Sequence, residues 1–219
     1  MSERKGKLIV LEGVDKSGKT TLMENLSRDS CDYIGHPFVS MPILGACDTG
    51  KEIKRILMQW DNLSGEVRTL LNMANIKHTV DVFVNPLLEQ GINVILDRYV
   101  LATAVYQTLE GVDESTILSI AKMMNLPIPD LVVLLDSPEP LGGEREKDST
   151  DHYDSQGVEE RNKRIAVYRE VHSFSEEDLL GGRERMSVNP RDIGSMDDLA
   201  AYVGSAINTV LSGEKLNNK

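Results

Sequence analysis

At 219 residues, 40% apolar and 27% charged, the chain is long enough to bury a sizeable core and is expected to form one domain rather than two. A net charge of −11 argues against a broad nucleic-acid surface, though not against a local positive pocket. Cys31 and Cys47 have neither disulfide-framework nor metal-cluster spacing, no stretch approaches the roughly 18 apolar residues of a membrane span, and "MSERKGK" runs directly into a strand with no room for a signal peptide, so a cytoplasmic protein without membrane contact is expected.

The first predicted element is a strand at 7–12, "KLIVLE", apolar and rich in β-branched residues as a buried strand would be. It leads into "GVDKSGKTT", residues 13–21, in which Gly13, Gly18, Lys19 and Thr20 satisfy G-x-x-x-x-G-K-[ST]. The spacing has a mechanism. Glycines let the backbone turn so that successive N–H groups, including those around Ser17 and Thr21, face phosphate oxygens. The lysine reaches the β and γ phosphates, and the Thr20 hydroxyl ligates Mg²⁺. "KTTLMENLSR" follows with Leu22, Met23 and Leu26 at helical spacing, so the loop opens a helix whose N-terminus favours negative charge. ATP and Mg²⁺ are the cofactors this pattern implies.

A strand interrupted by Pro37 is expected near "HPFVSM", then helices at 50–60 and 64–90, the second with a break at Pro86. Strands at 93–97, 131–136 and 185–189 alternate with helices at 101–109, 113–124 and 195–211. This alternation reads as βαβ units and a parallel sheet. Residues 1–212 would form a single domain, with 137–157 as a lid insert and 213–219 as a polar tail. Two strands end in aspartate. Asp136, before Ser137 and Pro138, reads as a strand terminator. Asp97 is placed to hold Mg²⁺, and Arg98 beside it to make a bidentate phosphate contact. A GTPase is disfavoured, because "NKRI" at 162–165 ends in isoleucine where guanine recognition needs an acid.

"LIVLEGVDKSGKTT", "GINVILDRY", "LPIPDLVVLLD" and, less well, "DHYD" resemble the thymidylate kinase family in order and spacing over roughly residues 7–170. The resemblance implies an α/β P-loop NTPase fold with a doubly wound five-stranded parallel sheet, a homodimer packed through helices, and phosphoryl transfer from ATP·Mg²⁺ to dTMP. It assigns Asp15 to the acceptor, hydrogen-bonding the deoxyribose 3′-OH, and Lys16 to charge neutralisation on the transferring phosphoryl. Arg145 and Lys147, and also Arg161, are the candidate lid cations over ATP. Pro42, Tyr99, Tyr106 and Tyr153 join Arg98 as acceptor-side residues.

The chain also departs from the family. Leu44 stands where the acceptor-phosphate arginine of F-P-x-R belongs, Asn72 where a phenylalanine stacks on thymine, and Ile76 where an arginine reaches the base. Lys77 and Lys51 are the candidates for a displaced cation, and Tyr106 or Phe83 for a displaced stacking surface. Three readings follow: a dTMP kinase with a rearranged pocket, a kinase of another or modified deoxynucleoside monophosphate such as a 5-substituted dUMP, or a non-catalytic nucleotide-binding relative.

Overall fold

The computed structural model describes residues 5–28, 33–141, 158–174 and 182–216. Five strands form one sheet: β1 (Leu8–Glu12), β2 (Phe38–Pro42), β3 (Asn93–Asp97), β4 (Leu131–Leu135) and β5 (Glu184–Val188). Their spatial order is β2-β3-β1-β4-β5 and every neighbouring pair is parallel. The chain therefore builds outward from β1 in both directions, which is the doubly wound arrangement. All five residues of β1 and of β4 are buried, as expected of central strands covered on both faces.

Strand periodicity divides the core. Ile9, Leu11, Ile95, Leu131 and Val133 face one side, where they pack with α1 (Lys19–Arg28) and the C-terminal α8 (Met196–Leu211). Leu8, Val10, Val94, Leu96, Val132 and Leu134 face the other side. Covering them are α3 (Gly65–Thr79), α5 (Val100–Leu109), α6 (Glu114–Met123) and α7 (Val158–Phe174), while α2 (Asp48–Gln59) packs on α3. Asp130, fully enclosed before β4, accepts from Leu8 N at 2.8 Å and ties the starts of β4 and β1 together.

The helix expected at 64–90 is continuous in direction but not in winding. After α3 comes a π-helical turn, Val80–Val84, followed by α4 (Asn85–Glu89) with Pro86 in its first turn. Asn85 N donates to Val80 O, one residue further back than an α-helix allows. Proline lacks an N–H and crowds the carbonyl four residues earlier, and the wider turn accommodates both effects. The break thus lies ahead of Pro86. The interrupted strand is also resolved: β2 begins at Phe38, just past Pro37.

Candidate active site

β1 and β3 end side by side, with Leu11 opposite Asp97 in the parallel register. The loop after β1 and the residues after β3 therefore emerge together at the carboxyl edge, where open α/β sheets bind ligands. The first loop turns sharply. Gly13, Lys16 and Gly18 have φ of 137°, 59° and 93°, and a Cβ on Gly13 would sit 2.6 Å from Leu135 O. Glycine at 13 is thus required by both backbone angle and space. Lys19 turns inward, its Nζ donating to Gly13 O at 2.9 Å, Val14 O at 2.8 Å and Ser17 Oγ at 3.3 Å. Burial, then the charge of Arg98, lowers its pKa to about 8 against the pull of Asp97, Asp15 and Glu12.

Arg98 follows β3 with φ 68°, a left-handed conformation uncommon for a residue with a side chain. Its N–H donates to Leu11 O at 2.9 Å, which fixes this turn against β1. The guanidinium pairs with Asp15 Oδ1 and donates to the Tyr168 hydroxyl at 3.1 Å. The Tyr106 hydroxyl donates to Asp15 Oδ2 at 2.8 Å. Burial would raise the Asp15 pKa, but the charges of Arg98 and Lys19 and the Tyr106 hydrogen bond hold it at about 2. Asp15 is therefore an ionised, acceptor-only group at neutral pH.

Beneath this pair sits Glu12, fully buried at the end of β1. Its Oε1 accepts from Tyr99 N at 2.8 Å and Ala102 N at 3.3 Å, so it caps α5, whose own N-cap residue supplies no side-chain bond. Oε2 accepts from the Tyr168 hydroxyl at 3.2 Å. Burial raises its pKa to about 7 despite Arg98 and Lys19. Glu12, Tyr168, Arg98 and Asp15 thus form one chain of polar contacts from the sheet to the site's surface.

The Asp15–Arg98 pair lies at one wall of a pocket of about 240 Å³. The opposite lining includes Pro42, Leu44, Lys54, Asn72 and Ile76, with Tyr99 and Tyr106 from α5 and its cap. Asn72 and Ile76 both reach this pocket, and Ile76 is 2% exposed. Asn75 holds the loop after β2 in place by donating to Ile43 O at 2.9 Å. Tyr99 walls the pocket while its hydroxyl turns to Pro127 O at 3.2 Å. Phe83 is not among the lining residues. Lys77 pairs with Asp81 at 2.6 Å and Lys51 with Asp48 at 2.9 Å, and neither lines the pocket. The cation that does line it from that side is Lys54.

In the loop after β1 and the helix that it opens, Thr20 and Thr21 lie exposed in the first turn of α1, and Ser17 is buried in the loop. Lys16 is exposed, its carbonyl accepting Leu141 N at 2.8 Å. Arg161, from α7, donates to Asp15 O and to Ser137 O, the latter at 2.9 Å. Arg145, Lys147, His152 and Tyr153, with most of the 137–157 segment, lie outside the described residues. Asp136 accepts from Arg169 Nε at 2.7 Å, a strand-end ion pair. Asp97 Oδ1, like Asp136 Oδ1, is buried with no hydrogen-bond partner among the described residues, and of the two aspartates it is Asp97 that lines the pocket.

Three residues of the cluster were not singled out by the sequence: Glu12, Tyr168 and Arg164, whose guanidinium lies 5.0 Å from the centre of the Tyr106 ring. The available signal was Glu12 itself, a carboxylate closing an otherwise apolar strand.

A parallel sheet of order β2-β3-β1-β4-β5, with a lysine-bearing phosphate loop after β1 and an arginine at the end of β3, defines a P-loop NTPase fold with a nucleotide-binding edge. Residues 11–180 match the thymidylate kinase family model, and the chain belongs to that family. It is accordingly a nucleotide-binding kinase.

Proposed function

We propose that the protein transfers the γ-phosphoryl group of ATP to a deoxypyrimidine 5′-monophosphate, with dTMP as the acceptor and dTDP as the product. The observation that carries this is a carboxylate inside the phosphate loop. Asp15 is ionised, bound to Arg98 and Tyr106, and lines a pocket that Lys19 does not line. Such a group repels phosphate, so its place is explained if it accepts a hydrogen bond from a sugar hydroxyl. In this reading Arg98 lies between acceptor and donor phosphates, and Lys19 meets the β and γ phosphates. Positioning and charge neutralisation then supply most of the catalysis.

Mg²⁺ fits the residues present. Thr20 offers a hydroxyl and Asp97 a buried, unpartnered carboxylate oxygen. A metal held by few protein ligands, the rest being water and phosphate, is the usual arrangement for this ion. When bound it supplies neutralisation of phosphate charge.

A second reading rests on the pocket wall. Asn72 and Ile76 replace the aromatic and the arginine that the family resemblance calls for, and both line the pocket. Asn72 could serve a polar 5-substituent or a different base edge, so the acceptor would be another or modified deoxynucleoside monophosphate. A coupled ADP-release assay over dTMP, dUMP, 5-hydroxymethyl-dUMP, dCMP and dGMP separates the two. Preference for dTMP supports the first reading, preference for another acceptor supports the second, and no acceptor-dependent release contradicts both.

We also propose a homodimer packed through helices. Val67 and Leu70, at 42% and 56% exposure, share one face of α3 with exposed Ala74. An apolar helix stripe of this kind suits a second copy.

A further inference from the structure

We propose that Lys54 is the second cation for the acceptor's 5′-phosphate, standing in for the side chain absent at Leu44. The inference rests on the kinase reading above and names a binding residue for the same pocket.

A phosphate monoester carries between one and a half and two negative charges near neutral pH. The charged groups that line the pocket are Asp15, Asp97, Arg98 and Lys54. Arg98 is already engaged, paired with Asp15 and bonded to Tyr168. It can meet one edge of a phosphate but leaves the opposite edge unmatched. The loop after β2 faces that edge, and the side chain it offers there is Leu44, which is apolar.

Lys54 reaches this edge from α2. Ile53 and Leu57 are buried and set the helix's inward face, which carries Lys54 along the pocket rim. Its stem crosses Gly45, where a Cβ would stand 3.5 Å from Lys54 Cδ. The loop beneath is fixed by Ile43 N donating to Asp97 O at 3.0 Å and by Asn75 donating to Ile43 O. The aliphatic stem thus lies over a turn held by these bonds, which suits a long basic side chain whose stem packs while its charged end stays in water.

The other cations of α2 are committed elsewhere. Lys51 bonds to Asp48, and Arg55 bonds to Glu52 and Gln59. Lys54 alone among them makes no ion pair or side-chain hydrogen bond among the described residues, and it alone lines the pocket. An ammonium is also a point charge without the planar fork of arginine, so the phosphate would be held by charge more than by bidentate geometry.

The test compares Lys54→Met and Lys54→Arg with wild type in steady-state kinetics on the same five monophosphates. Lys54→Met should raise the acceptor KM about ten- to hundredfold, the loss of one charge-assisted hydrogen bond, with the ATP KM within about twofold of wild type. Lys54→Arg should stay within about threefold of wild type, because charge is the property required. Titration calorimetry with thymidine and dTMP gives an independent readout: the variant should lose affinity for the phosphorylated ligand and not for the nucleoside. If wild type turns over an acceptor and Lys54→Met leaves its KM within twofold, the role of Lys54 is refuted while the kinase reading stands. If wild type neither binds nor phosphorylates any of the five, both are refuted.

Discussion

Asp15 and Glu12 are two carboxylates three positions apart, and their surroundings set them to opposite behaviour. Asp15, held at about 2 by Arg98 and Lys19 against its burial, remains an anion through the working range. Asp15→Asn keeps the shape but removes the charge and one acceptor site. We expect it to raise the acceptor KM or lower kcat while leaving ATP affinity nearly unchanged, and a 3′-deoxy acceptor should be penalised less in the variant than in wild type. Steady-state kinetics with both substrates varied checks this, and equal losses for both would indicate a damaged loop instead. Lys19→Ala removes an electrostatic contact expected to strengthen in the transition state, so turnover should fall about 10²- to 10³-fold with the circular dichroism spectrum retained. Glu12 is raised by burial from 4.5 to about 7. Its folded-state pKa lies above the unfolded value, so the stability it contributes is full below pH 4.5 and is lost as pH rises through 7. Glu12→Gln can still accept from Tyr99 N and Ala102 N without titrating. The difference in unfolding free energy between wild type and variant should therefore shift in favour of the variant by on the order of 3 kcal/mol between pH 4.5 and 8. Urea unfolding across that range measures it, and a flat difference contradicts the assigned burial.

Elements show why some of the molecule was legible in the sequence and some was not. Strands expected at 7–12, 93–97, 131–136 and 185–189 lie at 8–12, 93–97, 131–135 and 184–188. The first three are apolar runs with β-branched residues, bounded by glycine, aspartate or proline, so the local chemistry marks both ends, whereas the last, Glu184–Val188, is mostly polar and is marked chiefly by its flanking Gly182 and Pro190. The phosphate loop was legible for the same reason, since its function depends on adjacent residues. The polar cluster beneath it was not, because Tyr168 reaches Glu12 across 156 residues and no local pattern joins them. The same limit affected the pocket cation: Lys77 and Lys51 were nearer in sequence to the expected positions, but each is paired along its own helix, and the turn of α2 brings Lys54 to the rim. The π-helical turn before Pro86 was equally hidden, as only the proline is visible and not where its strain is absorbed. At α8 the sequence and the structure agree closely. Ser195 caps it, accepting from Asp198 N at 3.1 Å while the Asp198 carboxylate accepts from Ser195 N at 3.0 Å, a reciprocal capping box. Ser195→Ala should cost about 1 kcal/mol in chemical denaturation, because it removes the acceptor for Asp198 N at the start of α8.

At the scale of the whole molecule, the sheet order brings two independent chemistries to one edge. β1 supplies the phosphate loop and β3 supplies Asp97 and Arg98, with residues of α2, α3 and α5 lining the pocket beside them. No helix among the described residues is long and apolar enough to cross a membrane. If α3 forms the contact between two copies, Leu70→Glu should shift the sedimentation coefficient from a dimer to a monomer, whereas an unchanged value would place the contact elsewhere or remove it. The proposed reaction is transfer between two nucleotides rather than hydrolysis of one. Its most direct test is to follow the label from γ-³²P-ATP in the presence of dTMP and the other monophosphates. Labelled deoxynucleoside diphosphate should form only with an acceptor and should be abolished in Lys19→Ala. Label appearing solely as inorganic phosphate, or not leaving ATP with any acceptor, would contradict it.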